Sequence, residues 1–175
     1  WGAASARQLV LVALAAVAVF GLALLGGAWA FACSGSRCPS TAGLAEHDPD
    51  QTSKVYAADG RLITDLGLER RTVVPLTQMS PAVVRAFLAT EDKRFYEHGG
   101  IDWVRVAGAL KGALGGRPTG ASTITMQLAG NLFPEDINRR QRTIGRKLRE
   151  MRVAQQIEAK FSKDKILEMY LNQID

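Results

Sequence analysis

The sequence is poor in cysteine and in aromatic residues, and its N-terminal part almost lacks charge. Its 175 residues include two cysteines, which excludes a disulfide-dense scaffold and cannot by themselves complete a four-ligand zinc site. Glycine and proline, at 17 and 6 residues, are too few for a collagen-like or low-complexity chain. No charged residue occurs between Arg7 and Arg37, so the chain divides into an apolar segment and a charged remainder long enough for one domain.

The uncharged segment from Leu9 to Ala32 predicts a transmembrane helix, because about 20 apolar residues in a helix span a bilayer core. A cleaved signal peptide is the alternative, since Ala30-Phe31-Ala32 is similar to a cleavage site. The apolar run is longer than the ~7–15 residues usual in a signal peptide, which favours an uncleaved anchor. Arg7 favours a cytoplasmic position for residues 1–8.

After the anchor, the composition turns to Gly, Pro, Ser, Asp and Thr, which predicts a stalk over residues 33–53. Cys33 and Cys38 lie at its start. They either form a small-loop disulfide, if this side faces the extracytoplasmic space, or are incidental. Residues 54–175 predict a mainly α domain with a small β-hairpin at Asp59-Gly60.

Five helices are predicted in this domain from their caps and their apolar periodicity, after a short extended stretch over residues 71–76. Ser80 followed by Pro81, Asp102 and Ser162 are signals of a helix start. The predicted apolar stripes comprise, helix by helix, Val83, Val84, Phe87 and Leu88; Val104, Val106, Ala107 and Leu110; Ile124 and Leu128; Ile144, Leu148, Met151 and Ile157; and Ile166, Leu167, Tyr170 and Leu171.

Two adjacent carboxylates, Glu91 and Asp92, end the first of these helices, with Phe95 and His98 just beyond. An apolar helix end can partly desolvate a carboxylate and make it a better proton acceptor, so this segment is a candidate for general-base chemistry. Taken alone, the pair is more typical of a solvated helix end, and a lone histidine is more often a structural hydrogen-bonding residue.

A glycine turn at Gly120 precedes a helix whose first residues, Ser122 and Thr123, carry hydroxyl groups, with Gln127 one turn further on. Free backbone N–H groups and hydroxyls at a helix start suit a phosphate or pyrophosphate. Ordinary N-capping by Ser122 or Thr123 is the alternative.

The segment from Arg139 to Arg152 is strongly basic. Its cations indicate an anionic partner such as phosphate groups, nucleic acid or acidic lipid, although a solvated helix face is the common alternative. They are Arg139, Arg140, Arg142, Arg146, Lys147, Arg149 and Arg152, interrupted by Glu150.

The order of these motifs is distinctive. Glu-Asp-x-x-Phe-x-x-His-x-Gly is followed by Gly-x-Ser-Thr-Ile-Thr-x-Gln-Leu-x-x-Asn, Arg-Lys-x-x-Glu and Lys-x-x-Ile-Leu-Glu-x-Tyr-Leu-Asn. From about Val55 onward the sequence resembles the peptidoglycan glycosyltransferase domain of class A penicillin-binding proteins and monofunctional transglycosylases. The resemblance implies a mainly α, lysozyme-like fold. It also implies polymerisation of lipid II into glycan strands, with inversion at the anomeric carbon and release of undecaprenyl pyrophosphate.

The resemblance also implies roles for individual residues. Glu91 matches the general base for the acceptor hydroxyl, and Glu150 matches a second essential carboxylate that assists at the pyrophosphate. The cations expected at the phosphates are Arg142, Arg146, Lys147 and Arg149. Residues expected to line the donor side are Ser122, Thr123 and Gln127, and those expected to shape the site are Asp92, Phe95 and His98.

Two positions depart from the family pattern. Met126 stands where a glutamine is usual, and Gly130 replaces the basic residue usual before the asparagine of the second motif. The loss of a cation at Gly130 is one that Arg139 or Arg140 can compensate. Because the sequence ends inside the fourth motif, we expect an incomplete glycosyltransferase domain. The segment around Asp59-Gly60 and residues 69–74 looks more like the bifunctional class A enzymes than the monofunctional ones, so we expect the N-terminal part of a bifunctional enzyme.

The resemblance assigns no metal ligand and identifies no definite cofactor, and it leaves open a divalent cation, Mg²⁺ or Mn²⁺, at the pyrophosphate. The expected partners are lipid II, the growing glycan strand, the membrane and cell-wall synthesis proteins, but not nucleic acid. The expected location is the bacterial inner membrane, with a single span and an extracytoplasmic catalytic domain.

Two other classes of function are open at this stage. A catalytically impaired membrane scaffold that binds lipid II or division proteins is supported by the departures at Met126 and Gly130. A nucleic-acid-binding protein is suggested by the arginine run, but the anchor would place that run on the wrong side of the membrane.

Overall fold

The computed structural model describes residues 3–34, 38–42, 44, 53–66, 72–117 and 119–173. Its first element is a long helix, α1 (Ala3–Ala32), which begins before the predicted Leu9. The part from Ser5 to Ala32 is long and apolar enough to cross a membrane, with a mean hydropathy of 2.8 over its most apolar window. The apolar helix is therefore confirmed, while its orientation and its retention in the mature protein stay predictions.

The last turns of α1 contact the rest of the protein. Ala32 is buried, and the ring of Trp29 packs against a small cluster that includes Ile101 and Met151. A disulfide joins Cys33 to Cys38, so the paired interpretation of these cysteines holds. Most of the predicted stalk lies outside the described residues, and the division into stalk and domain stays a prediction.

The predicted hairpin is confirmed. Strands β1 (Ser53–Tyr56) and β2 (Leu62–Leu66) pair antiparallel. Gly60 has a φ of +82°, a left-handed conformation that glycine adopts without steric cost, and the Asp59 carboxylate accepts a 3.1 Å hydrogen bond from the Arg61 amide. Aspartate and glycine therefore each supply part of the turn that the sequence indicated.

The expected extended stretch forms no strand over residues 72–75, the part of it before Leu76 that the structure describes, and a 3₁₀ turn, Leu76–Gln78, follows. The side chain of Asn172 instead satisfies both polar groups of the Val74 backbone. Its Oδ1 accepts from the Val74 amide at 2.8 Å, and its Nδ2 donates to the Val74 carbonyl at 2.9 Å. A side-chain amide thus takes the place of a neighbouring strand.

Five helices complete the fold and match the predicted ones. They are α2 (Pro81–Glu91), α3 (Trp103–Leu114), α4 (Ile124–Leu132), α5 (Ile144–Glu158) and α6 (Lys163–Gln173). The caps at Asp102 and Ser162 act as predicted, because each side chain accepts from the backbone amide three residues later, at 2.9 and 3.3 Å. Ser80 occupies the N-cap of α2 without a side-chain hydrogen bond, so Pro81 carries that start signal.

The core is centred on α4, which packs against α5 and α6. From α4, Ile124 and Leu128 are fully buried and meet Val153 and Ile157 of α5. Full burial of such an aliphatic side chain stabilises the fold by about 1.5–3 kcal/mol. The helix that carries the second motif is therefore also the most buried element among the described residues.

Several residues of the predicted apolar stripes face outward. The exposed fraction is 47% for Val83, 67% for Val104, 63% for Leu110 and 81% for Ile144. In α3 no residue is buried, and Trp103, Leu110 and Leu114 share an exposed apolar side. Apolar periodicity correctly predicted the helices, but it does not specify whether protein covers the apolar face.

A close backbone approach joins the loop after α2 to α5. Gly100 has a φ of +84°, and a Cβ atom there would lie 3.1 Å from the backbone of Ala154 and from the Glu158 side chain. Both the left-handed conformation and the contact require glycine. The loop that follows Glu91 is thus held directly against the helix that carries Glu150.

Candidate active site

Glu91 is the last residue of α2, and its carboxylate is held from α4. The side-chain amide of Gln127 donates a 2.6 Å hydrogen bond to Glu91 Oε2, and Gln127 Oε1 in turn accepts from the Tyr170 hydroxyl at 3.2 Å. Burial, and then the negative charge of Glu91, raise the pKa of Tyr170, so its phenol stays protonated and keeps donating. The first, second and fourth motifs therefore meet at one carboxylate.

Asp92 points the other way, into the protein. It is almost fully buried, accepts a 3.1 Å hydrogen bond from the Ile124 amide, and lies 3.0 Å from Nε2 of His98. Thr123 caps α4 and donates a 2.6 Å hydrogen bond to the Gly100 carbonyl. The N-cap interpretation of Thr123 is thus confirmed, and this group joins the loop after α2 to the start of α4.

Phe95 is also buried, with the ammonium group of Lys163 lying 4.4 Å from its ring centroid. Another residue near this loop was missed by the sequence analysis. The guanidinium of Arg105 donates to the carbonyls of Glu91 and Gly120, bridging the end of α2 and the turn before α4. An arginine in the first turn of α3 carries no signal for that role, because its partners are backbone atoms distant in sequence.

Glu150 forms a second, separate cluster on α5. Its carboxylate is buried, and both oxygens accept hydrogen bonds, one from Arg146 and one from Lys147 at 2.8 Å. Lys147 also donates to the Ser122 hydroxyl at 2.7 Å. These two cations belong to a network that includes the second motif, so the simple solvated-face interpretation fails for them.

The remaining cations of the basic segment are arranged differently. Arg140 and Arg142 are exposed, and Arg152 is exposed with its guanidinium 6.0 Å from the Trp29 ring. Arg149 is partly buried, and its Nε is buried without a hydrogen-bond partner among the described residues. The basic segment is therefore several sites of different character.

Gly130 lies beneath Arg139, another cation of the basic segment. A Cβ atom at Gly130 would meet Cδ and Cγ of Arg139 at 3.0 and 3.1 Å, and Glu150 Oε1 at 3.5 Å. The guanidinium of Arg139 donates a 2.6 Å hydrogen bond to Asn131 Oδ1. The Arg139 side chain thus lies across the backbone at the position where the family pattern has a basic residue.

Met126, the other departure from the pattern, is fully buried. It packs in a small apolar cluster with Ile101, Met151 and Ala154, while its neighbour Gln127 carries the hydrogen bonds of the Glu91 cluster. The substitution of methionine for glutamine is therefore a change in the core.

The clusters do not fit a divalent metal ion. Asp92, His98 and Asp102 have potential ligand atoms within 4.8 Å of one another, but Asp92 already accepts from Ile124, and Asp102 pairs with Arg94 and caps α3. The oxygens of Glu150 are both taken by cations. We therefore assign no step to a metal.

The comparison with known families decides the identity of the domain. Residues 59–175 match the family model described as Transglycosylase. This chain belongs to the transglycosylase family. The resemblance drawn from the four motifs is thereby confirmed, and with it the mainly α, lysozyme-like fold.

Individual relatives of this transglycosylase domain are penicillin-binding proteins. The chain is 50% identical to penicillin-binding protein 1A of Escherichia coli over 125 residues, which cover 69% of this chain and 14% of the relative. It is 42% identical to penicillin-binding protein 1A/1B of Bacillus subtilis over 160 residues, 89% of this chain and 17% of that protein. It is 45% identical to penicillin-binding protein 1A of Aquifex aeolicus over 128 residues, which cover 72% of this chain and 17% of that protein. The chain thus spans about a sixth of the length of these relatives.

Proposed function

We propose that this transglycosylase domain polymerises lipid II into the glycan strands of peptidoglycan. In the proposed step, the 4-hydroxyl of one lipid II attacks C1 of the growing strand. The new C1–O bond forms as the bond from C1 to the pyrophosphate oxygen breaks, which inverts the anomeric centre and releases undecaprenyl pyrophosphate. One base and one stabilised leaving group are sufficient for such a displacement.

The Glu91 cluster carries the proposal. Gln127 fixes one oxygen of the Glu91 carboxylate, and no described residue hydrogen-bonds to Oε1. In the proposed mechanism Glu91 Oε1 removes the proton of the attacking hydroxyl, while Gln127 and Tyr170 hold the carboxylate in position. Asp92, Phe95 and His98 support it by fixing the loop that follows.

The basic cluster suits the leaving group. Arg146, Lys147 and the Ser122 hydroxyl converge on α5 and the start of α4, where they can donate to phosphate oxygens. The ion pairs with Glu150 hold the two cationic side chains in fixed positions, so that their donors are already oriented when the phosphate binds. We assign Arg149 to the same pyrophosphate region by its place in the third motif, and Arg142 by its match to a phosphate-contacting cation of the family just before that motif.

The apolar surfaces support a location at the bacterial inner membrane. Under this proposal α1 is a single span, and the domain after it lies on the extracytoplasmic side. The exposed apolar side of α3, with Trp103, Leu110 and Leu114, is suited to contact with the bilayer in which a lipid-linked substrate resides.

The decisive experiment is the Glu91→Gln substitution in the full-length protein, assayed by gel analysis of polymer formed from labelled lipid II. Loss of a general base commonly costs about 10²–10⁴-fold in rate, and the amide preserves the size of the side chain. Glu97→Gln is the matched control, because Glu97 is an exposed carboxylate in the same loop. Normal polymer yield from the Glu91→Gln protein would remove the assignment.

The scaffold alternative loses one of its two supports, because Met126 is a core residue. The same assay separates the two functions: a scaffold would bind lipid II without forming polymer in either variant or in the wild type.

A further inference from the structure

We propose that Arg139 supplies a substrate-binding cation beside the Glu150 cluster, with Gly130 leaving the space in which the Arg139 side chain lies. The inference rests on the proposed function, and it names a residue to which the family motifs assign no role. The ligand is the class of group that the reaction releases, a phosphate or pyrophosphate on a lipid.

The first argument is steric. The stem of Arg139 approaches the space above the Gly130 Cα so closely that a methyl group there would force the stem to shift by a few tenths of an ångström. Gly130 is itself buried in α4, whereas Arg139 is an exposed residue of the loop between α4 and α5. Glycine in a helix interior costs about 0.5–1 kcal/mol relative to alanine, and the contact with Arg139 provides a reason for glycine here.

The second argument is the location of the charge. The space above Gly130 is 3.5 Å from Glu150 Oε1, and the positive charge of Arg139 opposes the rise in the Tyr170 pKa. Arg139 is therefore near the Glu150 cluster, and its charge also acts on Tyr170, the residue that supports Glu91 through Gln127.

The third argument concerns the donors that remain. Asn131 Oδ1 accepts from one terminal nitrogen of Arg139, which fixes the direction of the guanidinium. A guanidinium has five N–H donors, so most of them are left for an anion. Arg140 is exposed as well, but the structure gives its side chain no polar contact with a described residue. Of the two arginines, only Arg139 has a side chain that is held by contacts with described residues, Asn131 and Gly130.

The experiment compares Arg139→Gln with the matched control Arg140→Gln in the full-length protein, using lipid II polymerisation in detergent. A lost charge-assisted phosphate contact should lower kcat/KM about 10- to 150-fold for Arg139→Gln, with an unchanged melting temperature. Arg140→Gln should stay within about 2-fold of the wild type. Equal kinetics in the two variants would overturn the proposal.

Position 130 provides the sharper test. Gly130→Ala changes no charge but shifts the stem of Arg139, so it should lower kcat/KM by less than Arg139→Gln does and add little to that loss in the double variant. Gly130→Lys in the Arg139→Gln background should restore activity, because it returns a cation to the same space. A full additive loss in the first pair, or no rescue in the second, would contradict the role given to Gly130.

The outcomes also separate this inference from the proposed function. If the wild type forms no polymer, the proposed function itself fails. If the wild type is active and Glu91→Gln is inactive, but Arg139→Gln behaves like Arg140→Gln, only the role of Arg139 is wrong.

Discussion

The amide nitrogen of Gln127 lies 2.6 Å from Oε2 of Glu91, joining the end of α2 to the middle of α4. Replacement of Gln127 by methionine keeps the side-chain length and removes the hydrogen bond. We expect kcat for lipid II polymerisation to fall about 10- to 150-fold, since a hydrogen bond to a charged group is worth about 1.5–3 kcal/mol.

The same substitution leaves the buried Tyr170 hydroxyl without its acceptor. An unsatisfied buried hydroxyl costs about 1–3 kcal/mol, so Gln127→Met should also lower the melting temperature. The double variant with Tyr170→Phe should recover the melting temperature but not kcat. Recovery of kcat with stability would show that Gln127 acts only through the fold.

Arg149 is the cation for which binding and structural roles are most easily separated. It forms no hydrogen bond or ion pair with another described residue, so Arg149→Ala should change the free energy of unfolding by no more than about 0.5 kcal/mol. If it contacts the pyrophosphate, kcat/KM should fall about 10- to 150-fold. Arg152→Ala, one turn further along α5, is the control. Wild-type kinetics in both variants would show that Arg149 does not bind the substrate.

Asp102 provides a pH-dependent prediction. Burial raises the pKa of this carboxyl, but the hydrogen bonds from the Arg105 amide and from Arg94 outweigh it and hold the pKa below 3.8. The folded state therefore binds the proton more weakly than the unfolded state. Its stabilising contribution is present above pH 3.8 and is lost as the pH falls through the lowered pKa of the folded protein.

The matched variant is Asp102→Asn, because asparagine still caps a helix but cannot pair with Arg94 as an ion. At neutral pH we expect faster amide exchange in the first turn of α3, because the free energy of local opening should fall by about 1–2 kcal/mol. The effect is moderate because Arg94 is partly exposed, and solvent screens its ion pair. The difference between the wild type and the variant should shrink below about pH 3.8. A constant difference at all pH values would mean that the charge is irrelevant.

The fate of α1 can be read directly from the mature protein. Retention as an anchor predicts that membrane-extracted protein contains peptides from residues upstream of Ala32, detected by mass spectrometry. A mature chain that begins at Cys33 would identify the segment as a cleaved signal peptide.

The local features of this protein are predictable because they depend on neighbours in sequence. The cap at Asp102, the turn at Gly60 and the five helices all follow from short-range rules. The membership of Glu91, Gln127 and Glu150 in the site followed from the motifs, which the family match supports as a set but does not test residue by residue.

The rest depends on which surfaces meet in space. No sequence rule indicates that Arg139 lies over Gly130, or that Tyr170 reaches the Glu91 cluster through Gln127. The outward-facing Val104 and Ile144 illustrate the same limit, because an apolar stripe does not identify what covers it.

The missing side chain of Gly100 sets the distance between the loop that follows Glu91 and helix α5. Gly100, in the loop that continues from Glu91, packs against Ala154 of α5, one turn beyond Glu150. A Cβ atom at position 100 would lie 3.1 Å from the Ala154 backbone, which leaves no room for a side chain. Any larger residue at position 100 would push the loop and α5 apart. The distance between the proposed base and the second carboxylate would increase as a result. The alignment of these two acids is thus tied to a residue that touches neither of them and has no functional group of its own.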